Sequence, residues 1–346
     1  MKRFAVVLLL VLVRPSFACA PAPRLGDEVA IIEEAAVIVW DPATKTEHFI
    51  RRATFEGKGR DFGFLVPTPA VPALSEVDDE IFDRLEEKTR HETVHVTRSE
   101  TRFASVFEIF LGKKEEAMTS SGAGEPVSVL SYQKIAGYDA VVLEATDSAA
   151  LQKWLNDHGY AATPDITEWL DAYVRQQWKI TAFKIDATNP SARTSAVKMS
   201  FVTERPFFPY REPASQKQSS TLALNSRNLR VWFIGPERVT GVIGDSTVWP
   251  TFLHRSQKLG KPLADEVSRL SAMPIAPSMR MSAFLDQSSI RPGNDDLFFA
   301  RDADQSDVIP APSVVETVHA TLIPVEVVVL AAVVIFFGVR RYMRRR

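Results

Sequence analysis

The sequence predicts an α+β fold in which helices are inserted into a mostly antiparallel or mixed sheet. Short apolar runs recur along the chain, and two amphipathic helical patterns interrupt them between Asp147 and Asp186. The runs follow one another without a regular βα alternation, which is typical of α+β rather than α/β proteins. The chain has 346 residues, 45% of them hydrophobic, and is long enough to bury a large core.

The two helical patterns are the most clearly specified elements. Asp147 is a good N-cap for the first helix, and Gly159 can adopt the left-handed conformation that ends it. Thr163 precedes a proline at a first helical position, which predicts the start of the second helix. Residues 178–185 alternate between polar and apolar and predict a half-buried strand. The expected core of this stretch is Trp154, Leu155, Trp169, Leu170, Tyr173 and Phe183.

Other apolar runs predict further strands. Residues 30–40 form an apolar run with two glutamates inside it, and residues 41–44 predict a turn into a returning strand at 46–55. Residues 93–97 alternate and are rich in β-branched side chains, which favours a strand. A hairpin is expected around the Ala136-Gly137 pair.

Both ends of the chain predict export and membrane anchoring. Residues 1–18 have a basic start, a short apolar run and small residues before a cleavage position, as in a signal peptide. Residues 320–339 are apolar enough to predict a transmembrane helix, and the arginine-rich tail at 340–346 is expected in the cytoplasm. The segment between them is interpreted as an extracytoplasmic domain, 19–301, and an acidic, proline-bearing stalk, 302–319.

These segments predict a single-pass protein of the plasma (inner) membrane, with its ectodomain facing the periplasm or the exterior and its C-terminus in the cytoplasm. Two alternatives stay open for residues 320–339: a buried core helix and a processed sorting tail. Cys19, the single cysteine, would be the first residue after cleavage, and it is either a lipidation site or a free or intermolecularly paired thiol.

The net charge of the ectodomain limits the kinds of partner that it is expected to bind. Residues 19–319 hold 33 of the 41 basic residues and 42 of the 43 acidic residues, so that their net charge is −9. A net-acidic domain repels phosphate groups, which argues against nucleic acid or anionic lipid as the main partner of the ectodomain. The C-terminal anchor is expected to bind the membrane. The ectodomain could bind either another protein or a surface polymer, and the sequence does not decide between them.

A zinc-peptidase motif is the strongest chemical signal. The segment His91-Glu92-Thr93-Val94-His95 matches His-Glu-x-x-His, in which a helix presents two zinc ligands and the glutamate activates a metal-bound water. A third ligand would have to come from a residue such as Glu115 or Glu116, which lie in a charged run. On a strand, the two histidines would lie roughly 13 Å apart, too far to share one zinc ion.

Several short packing motifs lie between residues 61 and 211. They are Asp61-Phe62-Gly63-Phe64-Leu65-Val66-Pro67-Thr68-Pro69, Ile81-Phe82-Asp83-Arg84-Leu85, Trp154-Leu155-x-x-His158-Gly159-Tyr160, Trp169-Leu170-x-x-Tyr173-Val174, the strand from Trp178, Met199-Ser200-Phe201 and Phe208-Pro209-Tyr210-Arg211. Together these motifs resemble the bacterial family called domain of unknown function 2330. The resemblance covers residues 19–240 and implies a secreted or membrane-anchored bacterial protein, without catalytic residues to transfer.

The function expected from these observations is that of a membrane-anchored envelope protein whose ectodomain is a non-enzymatic binding or structural module, without a cofactor. The alternative is a membrane-anchored zinc metallopeptidase with Glu92 as catalytic residue and His91 and His95 as metal ligands. The local strand pattern and the lack of a downstream histidine ligand favour the first interpretation.

Overall fold

The structure is a computed structural model of the chain with 346 residues. It describes residues 20–22, 29–57, 62–90, 93–104, 133–160, 162–185, 191–213, 228–288 and 294–345.

The described residues form nineteen strands and five helices, which confirms the predicted α+β class. The strands are β1 (Ala20–Ala22), β2 (Val29–Asp41), β3 (Thr46–Gly57), β4 (Phe62–Thr68), β5 (Ala73–Glu76), β6 (Thr93–Ala104), β7 (Gln133–Ile135), β8 (Tyr138–Leu143), β9 (Lys179–Ile185), β10 (Ser191–Arg193), β11 (Val197–Val202), β12 (Phe207–Phe208), β13 (Asn228–Gly235), β14 (Val239–Ile243), β15 (Thr247–Val248), β16 (Phe252–Lys258), β17 (Arg280–Asp286), β18 (Leu297–Arg301) and β19 (Ser313–Pro324). The helices are α1 (Glu80–Thr89), α2 (Ser148–Asp157), α3 (Pro164–Val174), α4 (Gly260–Ser271) and α5 (Val325–Met343).

The chain divides into two compact units. Unit 1 comprises Met1–Thr89 and Ser121–Ile309, and unit 2 comprises Arg90–Ser120 and Pro310–Arg346. The predicted ectodomain, 19–301, therefore contributes residues to both units.

Unit 1 is built around a mixed central sheet. Its strand order is β16-β17-β13-β2-β3-β11-β5, and β10 also pairs with β3. The neighbours β13 and β2 are parallel, with Val231 opposite Ala36, while the other pairs of this sheet are antiparallel. The predicted hairpin of the 30–40 and 46–55 runs is therefore present as β2 and β3 in the middle of the sheet.

The central sheet is covered on both faces. On one face, Val37, Ile50 and Trp232 form a core with side chains of α1 and α4, such as Phe82 and Val267. On the other face, apolar side chains pack against a five-stranded sheet of order β1-β4-β9-β8-β7 and a four-stranded sheet of order β12-β18-β14-β15. Because both faces of the central strands are apolar, each face needs its own covering layer.

The helices α2 and α3 cover the outer face of the five-stranded sheet. This part of unit 1 therefore has four layers: α1 and α4, the central sheet, the five-stranded sheet, and α2 and α3. Leu155 of α2 and Leu170 of α3 are fully buried against Ile180 and Ala182 of β9. The apolar stripe predicted for α3 and the alternation predicted for this strand are confirmed. Trp154 of α2 was expected in the core but is only half-buried, because its ring stacks on the exposed His158. Phe183 lies on the opposite face of β9, in the core between the two sheets.

The predicted helix ends are largely confirmed. The Asp147 carboxylate accepts hydrogen bonds from the amides of Ala149 and Ala150, at 2.8 and 3.0 Å. Gly159 has a φ of +83°, and Tyr160 folds back so that its amide donates to Leu155 O. Thr163 differs from the expectation, because its hydroxyl bonds the Asp165 carboxylate rather than a backbone amide of α3.

The predicted stalk is only partly separate from unit 1. Val308 forms two backbone hydrogen bonds with Ser256, each 2.8 Å long. Asp302 pairs with Arg238 at 3.0 Å, and Asp307 pairs with Arg280 at 2.7 Å. The boundary of the unit therefore falls after Ile309 rather than at the start of the predicted 302–319 stalk.

Unit 2 contains β6 and β19, which form a parallel pair, and the helix α5. The predicted strand at 93–97 is present as part of β6. The predicted transmembrane span at 320–339 differs from the structure at its start, because Ala320–Pro324 belong to β19 and the helix begins at Val325. By length and apolar content, no helix in the part of the chain described above qualifies as a membrane span.

Substitution of Trp169 tests the packing of α3. This side chain is buried, and its indole nitrogen donates to Arg211 O at 2.7 Å. We expect Trp169→Ala to lower the free energy of unfolding by about 3–5 kcal/mol, because it leaves a cavity and an unpaired carbonyl oxygen. The measurement is urea unfolding followed by circular dichroism.

Trp154→Ala is the matched control, because Trp154 is only half-buried and stacks on the exposed His158. It should lower the free energy of unfolding by much less. A loss below about 1 kcal/mol for Trp169→Ala would show that the α3 stripe is not packed as described.

Candidate functional site

Of the predicted zinc residues, only His95 lies within the part of the chain that the structure describes. His91, Glu92, Glu115 and Glu116 lie outside the described residues. His95 lies on β6, opposite Val315 of β19. Since β6 has strand conformation from Thr93 onward, this segment does not form the helix that the motif requires. Among the described residues, no cluster of three or more His, Cys, Asp or Glu side chains could hold a metal ion.

The predicted signal peptide, 1–18, and the candidate lipidation site Cys19 also lie outside the described residues. Both stay predictions.

A buried ion pair lies between the central sheet and the five-stranded sheet. Arg51 of β3 donates to the Glu34 carboxylate of β2 at 2.6 Å. The Arg51 guanidinium carbon lies 3.8 Å from the centre of the Phe64 ring of β4. Glu34 is fully buried and Arg51 is 6% exposed. Because the two charges neutralise each other away from water, removing either one would leave the other unpaired at a high energetic cost.

A small pocket lies beside this ion pair. It has a cavity volume of about 20 Å³, is partly open to solvent, and its lining includes Arg51, Phe64, Tyr138 and Phe183. The Tyr138 hydroxyl donates to Ser195 O at 2.9 Å, and burial raises the pKa of this phenol above its usual range. Typical metabolite pockets enclose roughly 300–1,000 Å³. The pocket is therefore too small and too open to serve as a closed site for a cofactor-sized ligand.

A histidine–serine pair lies on the face of the central sheet that α1 and α4 cover. His48 of β3 is directly opposite Ser200 of β11, and its Nδ1 is 2.8 Å from the Ser200 hydroxyl oxygen. Burial and the nearby Lys198 ammonium lower the pKa of His48, which favours the neutral form of the imidazole. A neutral imidazole can accept the hydroxyl proton, as in an activated nucleophile.

The orienting group of a catalytic triad is not in place for this pair. The nearby Asp41 carboxylate accepts from Ala43 N at 2.9 Å and from the Thr44 hydroxyl at 2.7 Å. Within the described residues, no carboxylate hydrogen-bonds His48. The pair has one element of nucleophilic catalysis but not the arrangement that a hydrolase uses. The pair could not be predicted from the sequence, because the two residues lie 152 positions apart and only the strand register brings them together.

A buried polar cluster is centred on Asp296, just before β18. The Asp296 carboxylate accepts from the Tyr173 hydroxyl at 2.8 Å, from Tyr210 N at 3.0 Å and from Arg211 N at 3.2 Å. Arg211 also pairs with Asp295 at 2.7 Å. Two of the motifs that carry the family resemblance, the one on α3 and the one at residues 208–211, therefore meet at a single carboxylate.

Burial controls the ionisation of Asp296. Desolvation raises the pKa of its carboxyl group to about 6, and the hydrogen bonds from Tyr173 and Arg211 oppose this shift. The carboxylate fixes a turn against a helix and is enclosed by the protein, with 4% of its surface exposed. Its role is therefore to hold unit 1 together rather than to meet a substrate.

The raised pKa of Asp296 predicts the pH dependence of stability. The folded state binds this proton with a pKa of about 6, and the unfolded state binds it at the ordinary value of 3.8. Protonated Asp296 therefore makes its full contribution to the free energy of unfolding below pH 3.8. This contribution falls as the pH rises through 6, by about 3 kcal/mol in total. We expect the free energy of unfolding to decrease from pH 4 to pH 7, measured by urea unfolding at a series of pH values.

Asp296→Asn is the control, because an amide does not titrate. Its free energy of unfolding should change less between pH 4 and pH 7, and the remaining slope should include Glu47, whose pKa is also raised by burial. Equal slopes for the wild type and the variant would contradict the assignment.

Comparison with known proteins identifies the family but not an activity. The family model described as an uncharacterised protein conserved in bacteria (DUF2330) matches residues 15–239, which confirms the resemblance expected from the motifs. No curated protein matches the sequence.

Two solved structures of baculovirus P35 show a low similarity in fold. The crystal structure of P35 has a TM-score of 0.40 and 7% identity, over 80% of this chain and 98% of that chain. A mutated P35 after caspase cleavage has a TM-score of 0.33 and 6% identity, over 78% and 99% of the two chains. Similarity at this level carries no argument about function. The family match covers most of the sequence, and the chain therefore belongs to the bacterial family DUF2330.

Proposed function

We propose that the chain is a single-pass envelope protein, attached to the membrane by α5, whose remaining residues form an extracytoplasmic binding or structural module rather than an enzyme. The observation that carries this proposal is the exposure of the apolar side chains of α5. Leu330 is 67% exposed, Ile335 65% and Phe336 60%. Apolar patches of this kind are normally covered by a partner or a membrane.

The composition of α5 favours lipid as the material that covers its exposed apolar side chains. Residues 327–339 have no polar side chain, so the helix has no face suited to water. A helix that lies flat on a membrane instead has one charged and one apolar face. The arginines at the C-terminal end of α5 suit the cytoplasmic side of an inner membrane. The predicted signal peptide supports the same topology, with the ectodomain in the periplasm or outside the cell.

The chemistry of unit 1 supports a binding or structural role. Its buried charges are used in internal contacts, such as the Glu34–Arg51 pair and the Asp296 cluster. The His48–Ser200 pair is not oriented by a carboxylate among the described residues. The net charge of −9 over residues 19–319 favours a protein or a surface polymer as the partner over nucleic acid. The zinc-peptidase alternative gains no support, since β6 is a strand at His95.

Membrane attachment can be tested by fractionation. We expect the full chain to sediment with membranes and to resist extraction with alkaline carbonate, because the apolar side chains of α5 would be buried in lipid. A chain that stops after Pro324, which keeps β19 and lacks α5, should appear in the soluble fraction.

A third variant separates insertion from surface adsorption. Val334→Asp and Ile335→Asp introduce charges into the apolar segment and should release the protein into the carbonate supernatant. Release of the unmodified chain by carbonate, or equal sedimentation of the full and shortened chains, would refute attachment through α5.

A further inference from the structure

The end of α5 carries a dense group of exposed cations. Arg340, Arg341, Arg344 and Arg345 are all exposed, and Arg344 N donates to Arg340 O at 3.2 Å, as expected in a continuing helical turn. No acidic side chain of the described residues pairs with any of the four. We refer to these four residues as the arginine cluster.

The apolar segment before the arginine cluster is short for a bilayer. Residues 327–339 number thirteen, which corresponds to a length of about 20 Å at 1.5 Å per residue. The hydrocarbon core of a bilayer is about 30 Å thick. A helix that is shorter than this core is accommodated by thinning of the bilayer and by charged side chains that extend toward the headgroups.

We propose that the arginine cluster binds the phosphate groups of anionic phospholipids, and that this contact completes an anchor whose apolar segment is too short by itself. The inference rests on the proposed function, because it places α5 in a membrane. It adds the class of lipid that the anchor prefers.

The chemistry of the cluster suits this ligand. A guanidinium group is planar, is always charged and can donate two parallel hydrogen bonds to one phosphate. Arg340 and Arg344 are one helical turn apart, as are Arg341 and Arg345, so the cluster presents two pairs of guanidiniums around the end of the helix. An anionic leaflet attracts each such cation. The nearest acid in α5, Glu326, lies at the opposite end of the helix.

The test uses the purified full chain and vesicles of two compositions, phosphatidylcholine alone and phosphatidylcholine with 30% phosphatidylglycerol. The partition coefficient is measured by flotation after detergent removal. We expect partitioning into the anionic vesicles to be stronger by about tenfold or more, because four cations meet an anionic surface. Shorter acyl chains should reduce the difference, since a thinner bilayer matches the apolar segment.

Two sets of substitutions separate charge from helix integrity. Replacement of the four arginines by glutamine (Arg340→Gln, Arg341→Gln, Arg344→Gln, Arg345→Gln) should abolish the preference for anionic vesicles. Replacement of the same four by lysine should retain most of it. A glutamine variant that keeps the preference would overturn the inference, because the arginine cluster would then not be its cause.

The remaining outcomes distinguish this inference from membrane attachment itself. If the full chain enters both kinds of vesicle equally and the chain that stops after Pro324 enters neither, attachment stands and the lipid preference is refuted. If neither chain enters any vesicle, the proposed function fails as well. Inorganic phosphate, added at constant ionic strength, should leave the preference intact. Its abolition would assign the cluster to free anions and overturn the proposal.

Discussion

The structure of unit 1 depends on one constraint: the middle strands of the central sheet are apolar on both faces. Ile38 of β2 and Phe49 of β3 point into the core between the sheets, while Val37 and Ile50, their neighbours in sequence, point toward α1 and α4. Neither face can be left in water without losing a large part of the stabilisation that burial supplies. The helices on one side and two further sheets on the other satisfy this requirement, and the five-stranded sheet in turn needs α2 and α3.

The same constraint explains how unit 1 uses its polar groups. A charge that lies between two sheets must be paired, and Arg51 meets this need with Glu34 on the adjacent strand and the Phe64 ring on the facing sheet. Asp296 plays a similar role where α3 meets a turn, because it accepts hydrogen bonds from both. These groups are used inside the layered arrangement of unit 1, and the proposed binding role is therefore left to its surface.

Elements specified by local signals could be predicted from the sequence. The helices α2 and α3 followed from an N-cap aspartate, a terminating glycine and apolar spacing, and each of these signals acts within a few residues. The parallel pairing of β13 with β2, the His48–Ser200 pair and the contacts of Asp296 could not be predicted, because they depend on strand register between distant segments. Acidic residues at 302–307 predicted a stalk, but the pairing of Asp307 with a buried arginine depends on tertiary structure.

Amide hydrogen exchange of the full chain tests the layered arrangement most directly. If both faces of the central sheet are covered, the slowest amides should lie in β2, β3 and β13, which have neighbours on both sides and packing on both faces. The edge strands β5 and β16 should exchange faster by orders of magnitude. Rates in β2 and β13 that match those of the edge strands would contradict the burial of the sheet between two layers.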